Sequence, residues 1–212
     1  MNMKKILLLV LAFVSSISLA QTITTAQNGD WDLEATWVGG VVPGASHDVV
    51  IAHDNDVDDN RQCNTITINA GARLDVQASL TVANTSTMAS GSTLNIKSGG
   101  TYTQTTGNFT NTAGTLTIFA GQDMVFSNGS TTLTNTGTIE INSSSSLFGS
   151  LLLSGSYTES GAGVINYRRY VASTTTWDLI GPPLSGYDME DFIDENTDIA
   201  SGNGSGAGAS GE

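Results

Sequence analysis

One repeating pattern in residues 71–167 constrains the fold of this chain more than any other feature. Five apolar anchors recur at steps that grow from 20 to 26 residues: Leu74, Leu94, Leu116, Ile139 and Ile165. A repeat in this range is typical of a solenoid, in which each turn buries its apolar face against the next turn. The pattern therefore predicts an architecture before it predicts a function.

Two further apolar series advance in step with the anchors. They are Leu80/Val82, Tyr102, Met124/Phe126, Leu151/Leu153 and Ile66/Ile68, Met88, Phe109, Leu133, Tyr157. Each anchor belongs to an apolar pair with a polar residue between its members, as in Leu74-Asp75-Val76, and this alternation indicates a strand with one buried side. Three series in lockstep indicate about three strands per turn.

We therefore predict an all-β chain that forms a right-handed parallel β-helix, or β-solenoid, over residues 64–171. In this prediction Leu94, Leu116 and Ile139 stack in one inward ladder. A β-sandwich, which also uses many short strands separated by turns, is the alternative.

The first 20 residues have the pattern of a secretory signal peptide. Lys4 and Lys5 precede an apolar run over residues 6–14, and Ser18-Leu19-Ala20 offers a small-residue cleavage site. The apolar run is too short to span a membrane, and no later stretch is long and apolar enough. We therefore expect a protein that is exported through the Sec pathway and is secreted or held at the cell surface, without a membrane span after signal removal.

The charge balance argues against nucleic acid as a partner. Removing the two lysines of the signal leaves five basic residues against 20 acidic ones, a formal charge of −15. Such a chain repels the phosphates of nucleic acids and anionic membranes.

The block before the repeats combines large aromatic residues with turn residues. Residues 28–51 read NGDWDLEATWVGGVVPGASHDVVI, and the chain continues with Val57-Asp58, the run from Cys63 to Ile68, and Gly71 to Leu74. Over about residues 28–100 the chain resembles the eight-glycine domain and the opening of repetitive adhesins that Gram-negative bacteria export by type IX secretion. The resemblance implies a β-rich, solenoidal fold and an extracellular location.

We interpret residues 21–63 as an amino-terminal cap. An open solenoid end exposes apolar side chains and strand edges, so a terminal unit must cover it. Trp31 and Trp37 are large enough to fill the end of a narrow core. The alternative is that the two indole rings form a platform for stacking sugars.

The ionisable residues do not form a recognisable catalytic set. The acidic cluster at residues 53–60 lacks the EF-hand pattern, because Asp59 stands where glycine is needed and Thr65 where glutamate is needed. The cluster is expected to be a solvated turn. Among the outward positions of the main strand, Asp75 and Glu140 lie three turns apart, about 14 Å at the usual strand spacing.

We therefore assign no catalytic, cofactor-binding or metal-binding residue. Cys63 is the one cysteine of the chain, and we expect it to be a small buried hydrophobe.

Four Thr-x-Thr pairs suggest a different use of a solenoid, since flat threonine ladders are typical of ice-binding proteins. The pairs are Thr65/Thr67, Thr101/Thr103, Thr115/Thr117 and Thr132/Thr134. Their positions in the repeat place them on different sides of the turn, so we expect them to be ordinary outward threonines. Ice binding is retained as a minor alternative.

The composition changes after the repeats. Residues 172–196 are predicted to be a junction, with one short helix over residues 185–195, and residues 197–212 form a flexible tail rich in glycine and serine. The resemblance implies a protein that continues further, so we expect this sequence to be a truncated reading frame.

The functional expectation is an exported cell-surface or extracellular module with a structural or adhesive role and no catalytic activity. Its candidate partners are surface glycans and other extracellular proteins. The alternative is a carbohydrate-active β-helix enzyme, a polysaccharide lyase or hydrolase, or an accessory domain of one.

Overall fold

A computed structural model shows that the chain forms a parallel β-solenoid with three sheets, which confirms the predicted fold class. The structure describes residues 21–159 and 162–170. Within this part the helical content is one short 3-10 turn, Glu34–Thr36. The predicted signal peptide (1–20), the junction with its helix (172–196) and the tail (197–212) lie outside the described residues.

The strands are numbered β1 to β19 in chain order, and every third strand belongs to the same sheet through most of the fold. Sheet 1 stacks β1 (Thr22–Thr24), β3 (Asp48–Ile51), β6 (Thr65–Ile68), β9 (Ser86–Met88), β12 (Phe109–Asn111), β15 (Thr132–Asn135) and β18 (Ser156–Glu159). All of these pairs are parallel.

Sheets 2 and 3 complete the three-sided turn. Sheet 2 stacks β2 (Gly29–Asp30), β4 (Asn55–Val57), β7 (Arg73–Val76), β10 (Thr93–Ile96), β13 (Thr115–Ile118), β16 (Thr138–Asn142) and β19 (Val164–Arg168). Sheet 3 stacks β5 (Arg61–Cys63), β8 (Ser79–Val82), β11 (Thr101–Gln104), β14 (Asp123–Phe126) and β17 (Ser150–Leu153).

The predicted inward ladder is present in sheet 2. Leu94 pairs in register with Leu116, and Leu116 pairs with Ile139. All three side chains are fully buried. Alternation along each strand then turns the intervening residue outward, so the repeat seen in the sequence fixes which residues reach the surface.

The solenoid begins earlier than the sequence predicted. Strands β1 to β5 lie within residues 21–63, which were assigned to a separate cap, and they pair with the later strands of all three sheets. The repeat is hidden there because the strands are short and because the long connection from Trp31 to His47 separates β2 from β3.

The two tryptophans nevertheless cover the end of the core, as the cap interpretation predicts. Trp31 and Trp37 are 0% and 2% exposed, and their ring centroids lie 5.0 Å apart in an edge-to-face arrangement. Each indole N–H is satisfied, Trp37 Nε1 by the carbonyl oxygen of Trp31 at 2.7 Å and Trp31 Nε1 by that of Pro43 at 3.3 Å. The sugar-platform alternative is wrong for these rings, because neither presents a face to solvent.

The core also contains polar side chains that bond to one another. Asn111 Nδ2 donates to Asn135 Oδ1 at 2.9 Å across adjacent strands of sheet 1, and both residues are fully buried. The Ser86 hydroxyl lies 2.6 Å from the Tyr102 hydroxyl. These groups are hydrogen-bonded within the core, as buried polar groups must be to avoid a large desolvation cost.

One corner between sheets 1 and 2 repeats a left-handed backbone. Gly71 and Gly91 have φ of 78° and 75°, and the same place in the next turn is occupied by Ala113 at φ 53°. The Gly71 N–H donates to the Gly91 carbonyl, and the Gly91 N–H to the Ala113 carbonyl. Ala113 is thus a non-glycine residue held in a conformation that suits glycine.

We expect Ala113→Gly to stabilise the protein and Gly91→Ala to destabilise it. Left-handed alanine costs about 1–2 kcal/mol, while the unfolded-state entropy of glycine returns about 0.4–1 kcal/mol, so each change should shift the unfolding free energy by about 0.5–1 kcal/mol. A methyl group on Gly91 meets no atom within 4 Å, so its backbone conformation alone is tested. Denaturant unfolding of both variants measures the effect, and two shifts of the same sign would contradict it.

Candidate functional surface

The outward side chains differ strongly between sheet 1 and sheet 2. Sheet 2 carries most of the charged residues of the strands, and sheet 1 carries almost none. The candidate functional regions are these two outer faces.

Three aspartates stack in register on the outer face of sheet 2. Asp30 pairs with Asp56, and Asp56 pairs with Asp75, so the carboxylates follow one another at about the 4.8 Å spacing of strands. Asn95 continues the column and donates from Nδ2 to Asp75 Oδ1 at 2.7 Å. The sequence separation of Asp30, Asp56 and Asp75 concealed this column, because β2 and β4 were not recognised as strands.

Asp75 is buried, although the sequence pattern placed it in solvent. It is 2% exposed, and its Oδ2 lies 2.5 Å from Lys97 Nζ and 3.2 Å from Arg73 Nε. The strand alternation was predicted correctly, since Asp75 does point outward. The carboxylate is buried because Arg73 on β7 and Lys97, which follows β10, lie against it. Long cationic side chains can cover a neighbouring group with their aliphatic stems while the charged ends stay near water.

Asp56, in the middle of the column, has an altered pKa. Its partial burial raises the pKa above the ordinary 3.8, and the nearby Asp75 carboxylate raises it further. Arg73 acts in the opposite direction, Asp30 again raises the pKa, and Lys97 lowers it. The Oδ1 atom of Asp56 is buried without a hydrogen-bond partner, which leaves its negative charge poorly compensated.

We expect Asp56→Asn to raise the melting temperature at neutral pH. Because the folded-state pKa lies above 3.8, the native protein binds this proton more tightly than the unfolded chain, and stability falls as the pH rises from 3.8 through the raised pKa. An asparagine at this position cannot ionise, so the variant does not lose this stability as the pH rises. The increase in melting temperature should therefore be full at neutral pH and should disappear below about pH 3.8.

Asp123→Asn is the matched control for that experiment. Asp123 occupies an outward position on β14, between Thr101 and Ser150, so it has no carboxylate in the adjacent strands. Its melting curve should follow that of the native protein across the pH range. A lower melting temperature for Asp56→Asn at neutral pH would contradict the electrostatic account.

The carboxylates considered as a catalytic pair remain apart. Asp75 and Glu140 belong to the same column, with Asn95 and Thr117 between them, so three strand steps of about 4.8 Å separate them. Glu140 Oε1 instead forms an ion pair with Arg168 Nη2 at 2.9 Å. Within the described ranges, no group of three or more His, Cys, Asp and Glu residues is placed to hold a metal ion.

Cys63 is part of the core, as predicted. It is 1% exposed, and its burial, followed by the nearby Asp48 charge, raises the pKa of the thiol to about 12. A thiol is a nucleophile only as the thiolate, so the pKa and the burial both make Cys63 unreactive.

Native Cys63 should resist alkylation near pH 9.0, its ordinary pKa, and should react after unfolding in denaturant. Ser98→Cys adds a second thiol at an exposed corner and serves as an internal reference. Mass spectrometry of the native variant is expected to find one label, at position 98. Labelling of Cys63 at the same rate as the introduced thiol would show that the core opens readily.

The outer face of sheet 1 consists of two columns dominated by threonine, which we name the threonine face. The first column is Thr22, Asp48, Thr65, Thr85, Asn108, Thr132 and Ser156. The second column is Thr24, Val50, Thr67, Thr87, Thr110, Thr134 and Thr158. Threonine therefore holds ten of these fourteen positions, more than on any other outer face of the described strands.

Only part of this face is evident from the four Thr-x-Thr pairs considered above. Thr65/Thr67 and Thr132/Thr134 lie on it, whereas Thr101/Thr103 lies on sheet 3 and Thr115/Thr117 on sheet 2, so the four pairs do fall on different sides. Two further pairs, Thr22/Thr24 and Thr85/Thr87, carry the same signal and were missed. The remaining members stand beside asparagine, valine or serine, so only the strand register reveals them.

Comparison of the chain with family models, with curated proteins and with solved structures found no match in any of the three. Among the residues that the structure describes, none of the helical segments has the length and apolar character needed to cross a membrane.

Proposed function

We propose that this chain is an exported, extracellular or cell-surface module with a structural or adhesive role and no catalytic activity. The resemblance of residues 28–100 to eight-glycine domains and to type IX-secreted adhesins motivates the location and the role. Surface glycans and other extracellular proteins are the proposed partners.

The observation that supports the proposal is the in-register stacking of strands over a seven-stranded sheet. Such stacking makes a long, regular face whose side chains repeat at about 4.8 Å, and it suits contact with an extended partner. The core beneath it is filled by large side chains such as Tyr102, Phe109 and Phe126. The outer faces of the sheets are therefore regular and are supported by a packed core, as a contact surface requires.

The carbohydrate-active enzyme is the second candidate, and one observation favours it. Asp56 has a raised pKa and stands beside Asp75 at about one strand spacing, which is close to the separation of two carboxylates in retaining glycosidases, about 5–5.5 Å. However, a nucleophile must reach its substrate. Asp75 is almost fully buried and is held by Arg73, Lys97 and Asn95, so we rank this candidate second.

Export is tested by expressing the full chain with Leu8→Arg as the matched variant. A charge in the apolar run of the signal should block translocation. We expect the native chain to appear outside the cytoplasm with Gln21 as its first residue, and Leu8→Arg to remain inside with an intact amino terminus. Equal distribution of the two proteins would overturn the proposed location.

The exported chain then distinguishes the two candidate functions. It is incubated with a panel of polysaccharides, and newly formed reducing ends and unsaturated products are measured. A non-catalytic module gives neither product. Turnover that Asp56→Asn abolishes, while the variant melts no earlier than the native protein, would instead establish the enzyme.

A further inference from the structure

The threonine face is nearly uncharged in a protein that is otherwise strongly acidic. Asp48 is the one ionisable residue among its outward positions, and its Oδ1 accepts hydrogen bonds from Asn64 Nδ2 and Thr65 Oγ1, both at 2.7 Å. By contrast, the outer face of sheet 2 carries Asp56, Asp75 and Glu140 in one column. The outward positions of β8, β11, β14 and β17 on sheet 3 also include one ionisable residue, Asp123, so the threonine face is distinguished by its threonine columns together with its low charge.

The hydroxyl groups in the middle of the face are available to an external partner. Thr67, Thr87 and Thr110 are partly exposed, and their side chains make no hydrogen bond within the described part of the chain. Each hydroxyl can donate one hydrogen bond and accept two. Each threonine also carries a methyl group beside its hydroxyl, so the face combines small polar and apolar groups.

The backbone fixes the two repeat distances of this array. Strand pairing sets about 4.8 Å between neighbours in a column, and two residues along a strand set about 6.6–6.8 Å between the columns. The column Thr67, Thr87, Thr110 and Thr134 runs without a register shift. The inward residues of the same strands are buried, so packing in the core fixes the positions of the outward threonines.

We propose that the threonine face binds the ordered water lattice at an ice surface. The hydroxyls repeat at regular distances in two directions, as the oxygen atoms of a crystal lattice do, and they can take the place of lattice waters as donors and acceptors. The methyl groups pack against the lattice where no hydrogen bond is made. The charge character also matches, because a water lattice has no net charge and a charged side chain would orient water around itself.

A crystalline polysaccharide is the competing flat partner. Its sugar rings would be expected to stack on aromatic side chains, and the fourteen outward positions of the threonine face include no aromatic residue. The proposal rests on the proposed function only in treating the fold as a contact module. It is tested with purified protein, so a failure of export would leave it unaffected.

The test measures partition of the purified chain, residues 21–212, into a slowly growing ice mass, beside a non-binding reference protein of similar size. Thr110→Tyr places a bulky ring at the centre of the face, between Thr87 and Thr134. Thr103→Tyr makes the same change in the same turn on sheet 3, between Thr81 and Val125. Tyrosine is favourable in strands, so both variants should retain the fold.

The native chain and Thr103→Tyr are expected to be enriched in the ice and to show thermal hysteresis, and Thr110→Tyr is expected to lose both. Melting curves verify folding, and Thr87→Tyr repeats the test should Thr110→Tyr unfold. The proposal is overturned if the native chain enters the ice no more than the reference protein. It is likewise overturned if the two tyrosine variants lose enrichment equally, or if microcrystalline cellulose retains the chain and ice does not.

Discussion

In-register pairing of parallel strands is the constraint on which the rest of this structure depends. Each turn aligns with the next so that Leu94, Leu116 and Ile139 meet at the centre of the core. Because the side-chain period of a strand is two, a shift of one residue would turn every buried residue outward. The same pairing that closes the core therefore arranges the two outer faces, and the surface chemistry follows from the backbone.

The two faces show opposite consequences of identical stacking. On sheet 2 it brings Asp56 within one strand spacing of Asp75, and the pKa of Asp56 rises because of partial burial and then because of repulsion between the two carboxylates. On sheet 1 it aligns neutral hydroxyl groups, such as those of Thr87 and Thr110, which do not repel. A stacked column repeats the same kind of side chain in successive turns, so the charge or polarity of one residue becomes the charge or polarity of a whole face.

The fold was predictable from sequence where the repeat is regular, and less so elsewhere. The apolar pairs such as Leu94/Ile96 gave the strands and their inward ladder. The first turns were missed, because β2 has only two residues and the connection after Trp31 interrupts the spacing. Asp75 was placed outward correctly but expected in solvent, since no local pattern shows that Lys97, one turn later, will cover it. The threonine face needed the register, which combines residues about 20 positions apart.

The amide pair in the core has a consequence for the order of the turns. An aliphatic ladder accepts any leucine or isoleucine opposite any other, so hydrophobic burial alone does not distinguish one turn from its neighbours. Asn111 and Asn135 are different, because each buried amide is satisfied by the other and by nearby backbone. A chain that paired turn with wrong turn would place an amide against an aliphatic side chain and lose the hydrogen bond between the two amides, although the local bonds to Gly114 and Gly137 would remain. The bond between the two amides therefore favours the pairing of these two turns with each other over their pairing with other turns of the repeat.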